Sequence, residues 1–372
     1  MPREHDLRGA IDFIKISYII WAGLNTASTC RYYRVKAFKM VIFSRIISIV
    51  RLMCIGCLSI GLLSCNDAEP LAVGSNVSFQ YKPPTDYWAH RAQQQFFSVE
   101  DGRIAYTDTG PREGPVLVLL HGVPTSSWMF RKIIPGLQER VRVISVDHLG
   151  FGSSDKPEDL SEIYTRQEHA DRVTALLSHL GIEQYSLLMH DMGGLIAWEL
   201  MRRDMDNIEH LIVLNTVVSV TGFNHPNIQP SDMTREMMRV YSGDITSTAM
   251  VRKTFSDLGL TGSERLSENE CFGYVQPLRE GADGALYAFF ISVDNALFTW
   301  LEGNKSEFAN YDGDVLVLWG ANDTVLTTRQ IPILQDMFQI PDENINIYED
   351  HAHFVAEEIP EEIIAQTMQF LK

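Results

Sequence analysis

The chain predicts an α/β fold: a mostly parallel, eight-stranded sheet with helices on both faces and one helical unit inserted into it. Three observations predict it. From residue 93 onward, short apolar runs rich in β-formers alternate with longer stretches of 3.6-residue periodicity, as strand–helix–strand units do. Most of the short runs are apolar without interruption, the pattern of strands buried on both faces. One interval of nearly a hundred residues has no strong strand signal, and much of it reads as helix.

The elements follow in order. "QQFFSVEDGRIAYTDTG" opens as a hairpin with Asp101-Gly102 at its turn. "PVLVLLHG", "VRVISVD", "YSLLMHD", "HLIVLNT", "DVLVLWG" and "NINIYED" supply six further strands, and "SSWMFRKIIPGLQ", "TRQEHADRVTALLSHLG", "GGLIAWELMRR" and "PEEIIAQTMQFLK" have helical spacing. The strandless interval contains a capping box, Ser267 with Glu270. It is assigned to a helical cap over residues 218–296, which divides the core into residues 93–217 and 297–372. A chain of 372 residues with 45% hydrophobic content holds one large core with such an insertion.

The front segment differs from the body. Residues 1–65 hold 9 of the 31 Lys+Arg and 3 of the 48 Asp+Glu, which leaves a balance of −23 on the rest. So acidic a body argues against nucleic acid as a partner, because phosphate binding needs a basic face. Cys30, Cys54, Cys57 and Cys65 lie in front and only Cys271 in the body, so the body has no disulfide framework or cysteine metal site.

From Met40, "MVIFSRIISIVRLMCIGCLSIGLLSC" sets Arg45 and Arg51 before a short apolar run and small residues, as a bacterial secretory signal does. The run is short for a membrane span. Its end, Leu62-Leu63-Ser64-Cys65, resembles a lipobox, whose cleavage would leave Cys65 as a lipidated N-terminus at the bacterial cell envelope. An uncleaved anchor helix is the alternative and would also tether the body. Residues 1–39 read as a mis-assigned start, 40–64 as the signal segment and 65–92 as a linker.

The chemistry centres on "YSLLMHDMGGLIAWEL", where a strand turns sharply into a helix at Asp191. Such a turn strains its central residue and requires small neighbours, here Gly193 and Gly194. A carboxylate at the bend has a particular use. A serine that displaced a leaving group from saturated carbon would form an ether, which water does not readily cleave, whereas aspartate forms an ester that water can open at the aspartyl carbonyl. Against an ester or amide substrate it would form an anhydride, so ordinary esterase or peptidase work is disfavoured. Alone, Asp191 reads equally well as a helix N-cap.

Other segments complete a set. "EDHAHFVAEE" follows the last strand and offers a base, with His353 preferred to His351; Asp323 in "GANDTVL" sits where an orienting acid is expected. "HGVPTSSW" places the Val123 N–H where it joins that of Met192 as a pair of oxyanion donors. The order nucleophile, acid, base is that of the α/β-hydrolases.

With His121-Gly122-Val123-Pro124-Thr125, "DHLGFGSSDKP", His190-Asp191-Met192-Gly193-Gly194 and His353-Phe354-Val355, the body resembles an α/β-hydrolase of the haloalkane dehalogenase and epoxide hydrolase group over about residues 90–372. Asn215 after "HLIVL" and an acid after the next strand recur in one dehalogenase subgroup. The resemblance implies a small apolar substrate and water as reactants, an alkyl ester on Asp191 cleaved by water under His353 and Asp323, and no metal or organic cofactor.

Two departures stand out. The tryptophan that in dehalogenases follows the nucleophile and holds the halide is here Met192, and the second halide donor is missing, with Val123 in the asparagine position and no tryptophan in residues 218–296. Trp128 and Trp300 are candidate substitutes. Epoxide hydrolases instead use cap tyrosines, for which Tyr241, Tyr274 and Tyr287 are candidates, although tyrosines in helical caps are more often packing. Met233, Met237 and Met238 are expected in the core or an apolar pocket. Trp128 and Tyr274 are the expected substrate contacts. Dehalogenase action leads, epoxide opening is the alternative, and a lipid-anchored binding protein without turnover is the third reading.

Overall fold

The computed structural model describes residues 79–158, 161–223, 266–292 and 296–372, together with Ala249, Arg252 and Lys253. The start, signal and lipidation assignments, including Cys65, lie outside the described residues, as do Met233, Met237, Met238 and Tyr241 of the cap. No helix among the described residues is long and apolar enough to cross a membrane.

Eight strands form one sheet in the order β1-β2-β4-β3-β5-β6-β7-β8. They are β1 Gln95–Val99, β2 Gly102–Thr109, β3 Val116–Leu120, β4 Arg142–Asp147, β5 Tyr185–Asp191, β6 Ile208–Thr216, β7 Asp314–Gly320 and β8 Ile345–Tyr348. The β1–β2 and β2–β4 pairs are antiparallel and all others parallel. The central strands β3, β4, β5, β6 and β7 are buried over nearly their whole length, which their unbroken apolar runs require. The hairpin turns at Asp101-Gly102 because Gly102, at φ +146, accepts a backbone conformation that a side chain rarely adopts.

Two sequence assignments need correction. The stretch ending at residue 92 is not all linker: helix α1 (Tyr87–Arg91) packs on the core with Tyr81, Tyr87 and His90 buried. Its polar composition concealed two tyrosines and a histidine that find partners, the Tyr81 hydroxyl at 2.6 Å from His90 Nδ1 and the Ser127 hydroxyl at 3.0 Å from Nε2. Nor is "SSWMFRKIIPGLQ" one helix. It splits into a 3₁₀ turn, Ser127–Phe130, and the short α2 (Ile134–Leu137), because Pro135 donates no backbone N–H and favours a helix start rather than an interior.

Beyond these, α3 (Arg166–His179) and α4 (Gly193–Asp204) cover the sheet, and the described cap contains α5 (Glu268–Pro277) and α6 (Asp283–Ser292). Helices α7 (Ala296–Phe308), α8 (Ile331–Phe338), α9 (Val355–Glu358) and α10 (Pro360–Phe370) complete the chain. The capping box at Ser267 and Glu270 is formed in full at the start of α5. Replacing Tyr87 by Ala should destabilise the protein by about 3–5 kcal/mol in denaturant titration, the range for deleting a buried aromatic. Trp88→Ala, at a half-exposed neighbouring position, should cost under about 1 kcal/mol; equal small losses would restore the linker reading.

Candidate active site

Asp191 closes β5, and Met192 is the N-cap of α4. The bend holds Asp191 at φ +51, a region uncommon for any residue with a side chain. Three glycines make it possible. A Cβ at Gly122 would strike the Asp191 side chain, one at Gly193 the Leu120 carbonyl, and one at Gly194 the Thr216 hydroxyl. That hydroxyl donates to the Asp191 carbonyl oxygen at 2.5 Å, so the bent peptide is pinned to the neighbouring strand. Backbone strain of this kind costs about 1–3 kcal/mol and survives only where the surroundings over-determine it.

Two amides face the carboxylate. The Val123 N–H donates to Oδ1 at 2.9 Å, and the Met192 N–H donates to the same carboxylate. Burial raises the Asp191 carboxyl above its ordinary range, against the opposing pull of His353 and of both amides. The other oxygen, Oδ2, lies 3.7 Å from His353 Nε2, outside direct hydrogen-bond range.

His353 Nδ1 is 2.7 Å from Asp323 Oδ2. A carboxylate only accepts, so Nδ1 carries a proton, and Nε2 is the ring nitrogen that faces Asp191. Burial works to lower the His353 pKa, but Asp323, the hydrogen bond to it and Asp191 outweigh burial and leave it raised. Asp323 is itself fixed: Oδ1 accepts the N–H groups of Val325 and Leu326, both at 2.8 Å, and Oδ2 accepts Asn215 Nδ2 at 2.8 Å.

Asn215 can reach Asp323 because β6 is irregular there. Pairing passes from His190↔Leu214 to Asp191↔Thr216, skipping Asn215, which sits at φ +26. A bulge of this kind re-aims a side chain. Here the amide accepts from Gly320 N–H at 2.9 Å and donates to Gly320 O at 3.2 Å as well as to Asp323. From below, His190 Nε2 donates to the His353 carbonyl at 2.8 Å, and burial keeps its pKa well below the ordinary value, so the ring is neutral.

The structure thus brings Asp191, His353, Asp323 and the amides of Val123 and Met192 to one place, at or just past the C-terminal ends of β3, β5, β7 and β8. His351 stands apart, with Nδ1 3.4 Å from Glu358. The two expected substrate contacts are corrected. Trp128 is buried with its indole N–H donated to the Glu270 carbonyl at 3.1 Å, and the Tyr274 hydroxyl donates to Glu357 at 3.2 Å. Both hold the cap helix α5 to the core. Trp300 lies over the Arg166 guanidinium at 4.3 Å, and Tyr287 is 45% exposed.

Sequence reasoning missed Thr216, and with it the backbone role of His190 and the buried pair Arg131 and Glu357. A charged residue inside the apolar run "WMFRKII" was the available signal for Arg131. Among the described residues no group of three or more His, Cys, Asp or Glu side chains could hold a metal ion. Two surface clefts of about 520 and 420 Å³ open at the opposite edge, one around Gln184 and Glu209 and one around Gly181 and Asp204, and neither contains a residue of this site.

Residues 115–360 match the α/β hydrolase fold family. The chain belongs to that family and is an enzyme of the hydrolase class. Among its relatives is the cis-3-alkyl-4-alkyloxetan-2-one decarboxylase of Shewanella oneidensis, 25% identical over 75% of this chain and 88% of that one. Haloalkane dehalogenase 2 of Mycobacterium bovis is 27% identical over 74% of this chain and 94% of that one. The crystal structure of a haloalkane dehalogenase DbeA loop variant from Bradyrhizobium elkanii superposes with a TM-score of 0.59 at 21% identity, covering 75% of this chain and 95% of the other.

The geometry makes two titrations predictable. Asp323→Asn leaves burial unopposed by its main counterweight, so the His353 imidazole should titrate lower than in the unaltered protein when followed by NMR. An unchanged midpoint would show that Asp323 does not set it. For Asp191 the folded-state pKa is raised, so the folded chain keeps a proton that the unfolded chain has released. Stability therefore falls as pH rises through that window and stays lower above it. Asp191→Asn should melt higher than the unaltered protein at neutral pH, with the gap closing as pH drops below the ordinary carboxylate range.

Proposed function

We propose that the protein attacks saturated carbon with Asp191 and passes through a covalent alkyl-enzyme ester, in the manner of a haloalkane dehalogenase. The observation that supports this reading is where the two amides point. They donate to the carboxylate of residue 191 itself, whereas a serine enzyme aims its hole at the substrate carbonyl.

In the first step Oδ2, the oxygen remote from the Val123 amide, displaces the leaving group in line; the carbon–leaving-group bond breaks with its electron pair and an ester forms. In the second, His353 Nε2 takes a proton from water as the water oxygen attacks Cγ. Oδ1 gathers the negative charge in the hole it already occupies. Collapse expels the alkoxide, which takes the proton from His353, and leaves Asp191 as the carboxylic acid, which releases its proton to solvent to regain the carboxylate. Asp323 stabilises the transient imidazolium.

The leaving group is the open half. A departing halide or epoxide alkoxide needs a donor. Met192 and Val123 have no side-chain donor, the Trp128 and Tyr274 donors are engaged, and Tyr287 stands half exposed at 45%. This favours a second reading, suggested by the Shewanella relative. An oxetan-2-one opened at its saturated ring carbon leaves as a carboxylate, which already delocalises its charge. The sequence also supports attachment to the bacterial envelope through Cys65, which Cys65→Ser should abolish, releasing the protein from membranes.

Trapping tests the central step. His353→Gln should lose at least about a thousandfold in turnover and accumulate an adduct at Asp191 by intact and peptide mass spectrometry. The gain would be the alkyl group from a haloalkane, or the whole ring from an epoxide or β-lactone. The absence of any adduct from all three classes overturns the reading.

A further inference from the structure

One buried cation ties together three segments around the candidate site. Arg131, 4% exposed, directly follows the 3₁₀ turn that leads out of the Val123 loop. Its guanidinium forks onto Glu357, with Nη1 at 2.8 Å from Oε2 and Nη2 at 2.6 Å from Oε1. Glu357 lies in α9, four residues after His353. Nη2 also donates to Glu270 Oε1 at 2.8 Å, in the first turn of the cap helix α5, and Nη1 to the Trp128 carbonyl at 3.1 Å. The Trp128 ring lies 4.3 Å from the guanidinium carbon and returns its own N–H to the Glu270 carbonyl. Lys132 approaches both carboxylates at 3.3 and 3.1 Å.

Ion pairs buried this deeply are weak contributors to stability, because desolvation offsets most of the attraction, and apolar replacements of similar volume often serve as well. What a forked guanidinium adds is geometry: two carboxylates from different segments held in fixed relative positions. The segments it fixes are the catalytic-histidine loop and the cap, and it stands at the end of the oxyanion loop.

We propose that Arg131 is a positioning residue through which docking of the cap helix α5 aligns His353 with Asp191 and Asp323. This rests on the reading of Asp191 as a nucleophile whose ester His353 resolves. Seating α5 brings Glu270 and Tyr274 onto the Arg131–Glu357 pair, which fixes the first turn of α9 and hence the loop before it. A loosened cap arm leaves the His353 ring free to drift from Asp323.

Two variants separate positioning from bulk stability. Glu270→Gln removes the charge of the cap arm and spares the Arg131–Glu357 fork; Arg131→Lys keeps the charge and loses the fork. In both, hydrolysis of the Asp191 ester should slow about ten- to a hundredfold, the scale of a small misplacement. Ester formation should stay within about twofold, so that adduct builds up. By NMR on the full chain without substrate, the His353 midpoint should fall, since contact with Asp323 is what raises it. An unchanged midpoint in both variants overturns the proposal, as does equal slowing of both steps. If His353→Gln shows no adduct, the ester mechanism fails instead, and the substrate-free midpoint alone decides the role of Arg131.

Discussion

The site depends on one backbone conformation, the left-handed bend at Asp191. With φ at +51, the chain leaves β5 and enters α4 within two residues. The carboxylate is thereby lifted clear of the sheet edge into the reach of the Val123 and Met192 amides. The bend is possible only because three strands end together. β3 supplies the Leu120 carbonyl and, just past its end, Gly122 close against the Asp191 side chain; β6 supplies the Thr216 hydroxyl that holds the bent peptide. A methyl group at any of the three glycines would push these ends apart.

That placement creates an electrostatic problem with a local solution. Burial makes the ionised carboxylate of Asp191 costly, and the two amides and His353 offset only part of that cost, so its pKa stays raised. The imidazole is buried too, and it is held above its ordinary value by a second carboxylate, Asp323, whose oxygens are saturated by two backbone amides, Asn215 and the imidazole itself. The positive charge that His353 would carry in the proposed ester hydrolysis would therefore appear beside a partner that needs no rearrangement, which is how a preorganised site lowers a barrier. The bulge at Asn215 is part of this arrangement, since a regular β6 would turn that amide away from Asp323.

The sheet was legible because its strands are continuous apolar runs, and the elbow was legible because so sharp a bend admits few residues around it. Asp191, His353 and Asp323 could be picked out from their positions after strands. Long-range pairing left no such trace. Arg131 and Glu357 are 226 positions apart, and each looks like a surface charge until the fold buries both. Trp128 misled for a related reason: an indole next to an oxyanion loop resembles a ligand contact, while its actual partner is a cap carbonyl 142 positions away. The segment before β1 misled by composition, because Tyr81 and Tyr87 are buried through hydroxyl contacts that polarity alone does not reveal.

The two halves of the proposed reaction are built from different parts of the chain. Everything that ester hydrolysis requires sits on strand ends of the core: nucleophile, base, acid and both oxyanion donors. Of the side chains beside the proposed ester, Val123 and Met192 have no donor, and the Trp128 and Tyr274 donors are spent on Glu270 and Glu357. Stabilisation of the leaving atom therefore rests either with the cap or with the substrate's own electronics. In the proposed mechanism this division would let one hydrolytic core serve carbon–halogen and carbon–oxygen cleavage alike, because an ester on Asp191 would carry no memory of what left. It also gives physical sense to an Arg131 cluster between cap and core: where one part selects the substrate and another finishes the chemistry, their register must be fixed, and a buried forked guanidinium fixes it with little contribution to stability.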